Sequence, residues 1–380
     1  MIFDNIISYF DTGNRHSVLE EVYSSQGAIA FYTQFVTCES DFDKLKKGDL
    51  VFFFINEDQE KDTFEEFSAS FRKELYSLYP GNDWNKKIYD LGNLKQGNKP
   101  GDTHALLKEI ISHLYTTYEI LPLVIGGGDD VDYLLFTELS KHHQALTVVE
   151  TSAIVPDLTS KDHFLAKIIH NKNESLFQYT QLGYQQYLNN PNQVKRINEL
   201  YFEAIRLGEV KVDIARMEPK LRNAHYASFR MDVLRTAELV PSEAKRPNGL
   251  FSHELCQLIW YTAFSGNLRM GHISSVAYDS VEEIKLAQLA QLFWHFLDGY
   301  QSSVKENFKQ SEYFLKYTVL KDNNEWIFYK SKRTERWWVE VTKNCENKIK
   351  ILIPCMLDDY NSSLVGEIPE SWFRYLSKIN

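Results

Sequence analysis

The strongest constraint on the fold is an alternation that repeats through the first half of the chain. A short unbroken apolar run meets a polar or glycine-rich stop, then a stretch whose apolar residues recur at three- and four-residue steps. Residues 50–55, Leu-Val-Phe-Phe-Phe-Ile, leave no polar position to face solvent, so they predict a strand covered on both faces. Over residues 62–78, Phe64, Phe67, Phe71, Leu75 and Leu78 share one helical face, while Glu65, Glu66, Arg72 and Lys73 fill the other. The pattern resumes with a strand at 87–91, a loop at 92–101 and a helix at 103–118. A strand at 121–125 stopped by Gly126-Gly127-Gly128, a helix at 131–140 and a strand at 146–149 follow. Strand, helix and strand with short joins build a mostly parallel sheet by right-handed crossovers. Ligands of such α/β sheets gather at the carboxyl ends of the strands.

Farther along, helices are expected at 164–170, 193–206, 252–264 and 284–300, and strands at 226–229 and 274–277, with a polar stretch after residue 170. Beyond residue 309 the texture changes. Trp326-Ile327-Phe328-Tyr329 and Arg336-Trp337-Trp338-Val339-Glu340-Val341 read as a hairpin, and 348–353 as a further strand. Residues 1–309 are therefore read as one α/β domain and 310–380 as an appended β-rich subdomain. Neither an internal repeat nor a low-complexity segment competes with this reading.

A formal net charge of -10 favours solubility and opposes a general role on nucleic acid or anionic membrane. The apolar runs fall far short of the roughly 20 residues that span a bilayer. Met1-Ile2-Phe3-Asp4-Asn5 lacks the basic-then-apolar pattern of a signal peptide. The four cysteines, Cys38, Cys256, Cys345 and Cys355, form no CxxC pair, so a reducing, cytoplasmic setting is expected. Cys256, in Leu255-Cys256-Gln257-Leu258, reads as a small buried hydrophobe.

Four segments carry a more specific message. Residues 121–130 end Gly126-Gly127-Gly128-Asp129-Asp130, where the glycines permit a sharp turn and close backbone approach. Residues 146–154 read Leu-Thr-Val-Val-Glu-Thr-Ser-Ala-Ile, residues 227–233 Ala-Ser-Phe-Arg-Met-Asp-Val, and residues 247–254 Pro-Asn-Gly-Leu-Phe-Ser-His-Glu. In this order and spacing they resemble the ureohydrolases (arginase, agmatinase, formimidoylglutamase), over roughly residues 40–305. The resemblance implies an arginase-like three-layer α/β/α sandwich and two Mn²⁺ ions that activate a bridging water. It also assigns positions. The residue after the glycines, Asp129, falls on a metal-binding histidine. Glu150, Ser152 and Ile154 fall on an Asp-x-His-x-Asp triplet, and Arg230 and Asp232 on the two carboxylates of Ser-x-Asp-x-Asp. Glu254 falls on a glutamate that faces the substrate.

Asp129, Glu150 and Asp232 thus keep oxygen donors at metal positions, whereas Ser152, Ile154 and Arg230 depart from the pattern. A guanidinium is permanently charged, and positive centres about 4 Å apart repel strongly in a poorly solvated cleft. Arg230 is expected to neutralise Asp129 and Asp232 in place of the metals, with no cofactor and a non-catalytic binding or assembly role. The alternative is an atypical metal-dependent hydrolase of linear amidines. There Asp129, Glu150 and Asp232 would hold one Mn²⁺, Glu254 would receive the substrate and His163 would shuttle protons. Plainer readings stand beside these, with His163 as a helix-start residue and Glu254 as a first-turn helix glutamate.

Asp130 and Asp132 are expected in the first turn of the following helix, and His142-His143 on the surface. In the tail, Lys330, Lys332, Arg333 and Arg336 interleave with Trp326, Phe328, Tyr329, Trp337 and Trp338, a combination able to bind single-stranded nucleic acid. The preferred reading is a hairpin with a packed aromatic face and a basic tip, and a partner that is another protein or a second copy.

Overall fold

The computed structural model describes residues 7–26, 35–37, 44–57, 61–82, 84–238, 246–276, 278, 282–321, 324–343 and 349–379. The readings of residues 1–5, Cys38, Cys345 and Ala277 fall outside these. The strands of the large sheet are β1 (Phe10–Asp11), β2 (Phe35–Val36), β3 (Leu50–Phe54), β4 (Ile88–Leu94) and β5 (Leu121–Ile125), then β6 (Leu146–Thr151), β7 (Leu176–Tyr184), β8 (Glu203–Arg206), β9 (Tyr226–Arg230) and β10 (Met270–Ser274). They form one 10-stranded sheet in the order β1-β4-β3-β5-β10-β9-β6-β7-β8, with β2 also on β4. Every pairing is parallel except that of β1 with β4.

Alternation along the strands explains the layers. Phe52 and Phe54 of β3 join a core covered by α1 (Gly13–Gln26), α2 (Lys61–Ser77) and two later helices, while Val51 and Phe53 join a second core on the opposite face. That second core is covered by α3 (Pro100–Tyr118), α4 (Asp129–Ser140), α5 (Phe164–His170) and α6 (Pro191–Glu199). The chain continues through α7 (Leu207–Val212) and α8 (Glu218–Leu221) to α9 (Ser252–Phe264) and α10 (Glu283–Gln301), which complete the first layer. The result is the expected three-layer α/β/α sandwich. None of the described helices is long and apolar enough to cross a membrane.

Besides β1 and β2, which the sequence reading did not foresee, three strands of the large sheet depart from it. The stretch read as polar after residue 170 contains β7, and part of the helix read at 193–206 is β8. Both lie toward the sheet edge, where Gln178, Thr180 and Glu203 find polar partners instead of a dry core. The strand read at 274–277 lies earlier, as β10, because its His272 is buried and fully bonded.

The C-terminal region is a 4-stranded antiparallel sheet, β11 (Phe314–Lys321), β12 (Asn324–Ser331), β13 (Trp337–Lys343) and β14 (Ile349–Cys355), in chain order. Two helices that were not foreseen, α11 (Leu357–Leu364) and α12 (Glu370–Ile379), cover one face through Tyr360, Trp372, Tyr375 and Leu376. Three of the basic residues that the sequence sets among aromatics have partners. The Arg336 guanidinium lies over Phe264 at 4.1 Å and pairs with Glu218 at 3.0 Å, Lys330 faces Glu335, and Lys332 donates to the Glu312 carbonyl. Trp326 and Trp338 are buried.

Candidate functional site

Gly126 and Gly127 end β5 with positive φ angles of 100° and 75°, and a Cβ at Gly126 would run into the Ile55 carbonyl and the Tyr278 hydroxyl. This turn starts α4 at the carboxyl end of the sheet. Asp129, the first residue of α4, accepts the Phe164 N–H at 3.1 Å and the Arg230 Nη1–H at 2.8 Å. Glu150 of β6 and Arg230 of β9 come together because their strands are neighbours, with Glu150 opposite Ser228. Asp232 follows in a short turn after β9.

The Arg230 guanidinium therefore stands among three carboxylates. Its Nε lies 3.7 Å from Glu150 and 3.6 Å from Asp232, beyond hydrogen-bonding reach of both. Burial disfavours its charge, but Asp232, Asp129 and Glu150 outweigh that and raise its pKa. Arg246 adds a second guanidinium, 3.5 Å from the Asp232 carboxylate and bonded to the Asp232 carbonyl. Glu150 is fully buried. One of its oxygens accepts from the Tyr179 hydroxyl, and the other is 3.1 Å from His163 Nε2. Burial and then Glu150 push the Tyr179 phenol far above its ordinary pKa, so it stays a donor.

His163 is the N-cap of α5, its Nδ1 accepting the Leu165 N–H at 3.1 Å. Burial opposes a charge on the ring, yet Glu150 and Asp129 raise its pKa. The capping bond needs the Nδ1 lone pair, so the proton on Nε2 is the one directed at Glu150 and charging the ring breaks the cap. Ser152 bonds the backbone of Ile154, and Ile154 is partly exposed.

Glu254 takes a different place. Its carboxylate accepts the Phe251 N–H at 2.8 Å and pairs with Lys211 at 3.2 Å, and none of its described interactions reaches the five residues Asp129, Glu150, His163, Arg230 and Asp232. A cavity of about 1020 Å³ borders the nearby Pro247 and Phe251, and none of the five lines it.

Beneath the cluster is a second network that the sequence reading missed. Asp132 is in the first turn of α4 as expected, but buried, accepting from the Tyr226 hydroxyl and from His272 Nδ1 at 2.7 Å. His272 Nε2 donates to the Gly126 carbonyl at 2.7 Å, so both ring nitrogens carry protons. Burial opposes the charges, but the pairing raises the pKa of His272 and lowers that of Asp132. Five buried polar atoms here have no hydrogen-bond partner among the described residues: Arg230 Nε, Asp232 Oδ1, Asp132 Oδ2, Ser228 Oγ and Ser274 Oγ.

The arrangement of sheet and helices has known counterparts: the fold is that of the ureohydrolases. Formimidoylglutamase from Bacillus subtilis subsp. subtilis str. 168 superposes with a TM-score of 0.58 at 16% identity, over 68% of this chain and 89% of that one. Trypanosoma cruzi formiminoglutamase, in a structure with Mn²⁺, gives 0.56 at 17% identity over 67% and 94%. Proclavaminate amidino hydrolase from Streptomyces clavuligerus gives 0.54 at 16% over 68% and 94%. Compared by sequence, the chain matches no protein-family model and no curated protein.

The side chains present do not fit a pair of divalent ions. Among the described residues no group of three or more His, Cys, Asp or Glu is arranged to hold a metal ion, and a guanidinium stands between Asp129, Glu150 and Asp232.

Proposed function

We propose that this protein is a ureohydrolase-fold binding or assembly protein in which an ion-pair cluster replaces the dinuclear metal centre. The observation that carries this reading is the Arg230 guanidinium among Asp129, Glu150 and Asp232. Three carboxylates without counter-charge would repel one another, and Arg230 and Arg246 supply the positive charge that the resemblance assigns to metals. The His163 geometry agrees, since its described bonds cap α5 and meet Glu150.

Purified protein should hold no stoichiometric manganese by elemental analysis. After incubation with Mn²⁺ it should release neither urea nor the corresponding amide product from arginine, agmatine or formiminoglutamate. Turnover that Asp232→Ala abolishes would instead establish the atypical hydrolase.

A further inference from the structure

The C-terminal sheet meets the sandwich around a cavity of about 320 Å³. Half of its lining comes from α8, α9 and residues beside α8, and half from the turn into β13 and the end of β14 with the residues after it. Its walls are largely aromatic, with Trp260, Tyr261 and Phe264 from the sandwich and Trp337 from the C-terminal sheet.

The same lining holds a guanidinium that the protein does not satisfy. Arg336 is 8% exposed, lies over the Phe264 ring and reaches Glu218 through Nε at 3.0 Å. Its Nη1 and Nη2 are both buried and have no hydrogen-bond partner among the described residues. Glu218 is not free to turn to them, because Arg222 holds it through Nε, at 2.9 Å, and through Nη2. Arg222 in turn donates from Nη1 to the Trp337 carbonyl at 2.6 Å. A buried donor without an acceptor is costly, and a charged one more so. Burial pushes the Arg336 pKa down to about 10, so the side chain is still charged at neutral pH.

We propose that this cavity binds a small aromatic carboxylate, whose two oxygens accept from Arg336 Nη1 and Nη2 while its ring lies among Trp260, Phe264 and Trp337. Both nitrogens are shut from solvent, so on binding the side chain turns in the plane of the Phe264 stack to meet the ligand. The unfilled groups select this chemistry. Guanidinium nitrogens only donate, so the occupant has to present acceptors, and the planar fork matches two oxygens on one centre. Charge limits the occupant to a monoanion. The buried ionic groups of the lining are two guanidiniums and one carboxylate, since Glu335 is 82% exposed and faces Lys330. A carboxylate balances that surplus, whereas a phosphate monoester, at a charge of about −1.5 to −2, would leave the site negative. The walls favour a ring over an aliphatic body, because aromatic pairs gain more than their buried area alone. None of Asp129, Glu150, His163, Arg230 and Asp232 lines this cavity, so the proposal stands whether or not the cleft is catalytic.

The test is isothermal titration calorimetry on the full chain with 2-naphthoate, set against 2-naphthamide, 2-naphthyl phosphate and acetate. The carboxylate should bind saturably at one site, raise the melting temperature, and bind at least tenfold more tightly than each of the other three. Arg336→Met, with unchanged circular dichroism, should lose at least tenfold in affinity for 2-naphthoate. Hydrogen exchange on the wild type locates the site without any variant, and 2-naphthoate should slow it at residues 334–337. Absence of saturable 2-naphthoate binding, equal binding of the amide or the phosphate, undiminished binding by a folded Arg336→Met, or protection confined to other segments would overturn the proposal.

Discussion

Arg72 and Arg230 both set a guanidinium against carboxylates, one in the interior of the large sheet and the other at the carboxyl ends of its strands. Arg72 grips Asp90 with two bonds, at 2.7 and 3.1 Å, and donates further to Asn93 and the Ser68 carbonyl. Asp90 also accepts from Tyr76 and the Gly92 N–H, while Asn93 bonds Ser68 in turn. At 2% and 0% side-chain exposure, the Arg72–Asp90 pair is closed to water. Among the described residues Arg230 makes one side-chain hydrogen bond, to Asp129, and its other carboxylates stand off at 3.6 and 3.7 Å. Its Nε and Asp232 Oδ1 have no hydrogen-bond partner among the described residues. A closed polar network specifies a fold, whereas an open one keeps donors and acceptors for water or a ligand. The same chemistry thus acts as a staple between α2 and β4 and as a site at the strand ends.

The largest expected effect tests the staple. Arg72→Ala removes one partner of a fully buried pair and should cost about 3 to 5 kcal/mol of unfolding free energy in chemical denaturation. A loss below about 1 kcal/mol would mean that closure contributes little, and the contrast with the cleft would disappear.

Arg230→Ala comes next. The cleft carboxylates lose their counter-charge, but water can reach Asp129 and Asp232, so a loss of about 2 kcal/mol is expected. Because the change vacates space beside oxygen donors, added Mn²⁺ should raise the variant's melting temperature by binding the folded state. Wild type should not respond. Equal melting temperatures for the two proteins, or strong Mn²⁺ stabilisation of wild type, would show that Arg230 is not standing in for metals.

The buried network beneath the cleft predicts a smaller, pH-dependent effect. His272 folds with both nitrogens protonated and a raised pKa. Its stabilisation is complete below its unfolded value, near pH 6.5, and is lost as pH rises through the folded value. Asp132, with a lowered pKa, sets the acid limit, its contribution being present above about pH 4 and lost as pH falls through its folded value. Unfolding free energy should therefore fall above neutral pH, by about 1.4 kcal/mol for each tenfold gain in the proton affinity of His272 on folding. The decline should be shallower in His272→Gln, and parallel profiles would exclude an imidazolium at this position.

These networks also show what a linear reading can reach. The apolar strands were legible because a strand with both faces covered has no polar position, as in β3. The positions of Asp129, Glu150, Arg230 and Asp232 were legible because each lies in a segment that resembles a known motif at a strand end. Tyr179 and His272 were not, since the bonds they make to Glu150 and Asp132 join residues 29 and 140 apart in the chain. Such partners are chosen by strand order. In sequence a buried, bonded histidine looks like an interruption, and that misplaced β10.

The smallest expected effect lies beside the cleft, in the first turn of α4, where Asp130 and Asp132 meet opposite environments two residues apart. Asp132 is buried beneath the sheet's strand ends, whereas Asp130 is 63% exposed and pairs with Lys167 on the rim. An ion pair in solvent gains little Coulomb energy and loses side-chain freedom, so Asp130→Ala should cost less than about 0.5 kcal/mol. Part of that belongs to the helix, since a negative charge in the first turn is favoured by the exposed backbone N–H groups there. Salt separates this case from the buried networks. Raising ionic strength should erase the difference between Asp130→Ala and wild type but leave the Arg72→Ala deficit nearly unchanged, because buried pairs are screened far less. A salt-insensitive loss above about 1 kcal/mol in Asp130→Ala would place Asp130 within the cleft's charge cluster, and the border between rim and site would have to move outward.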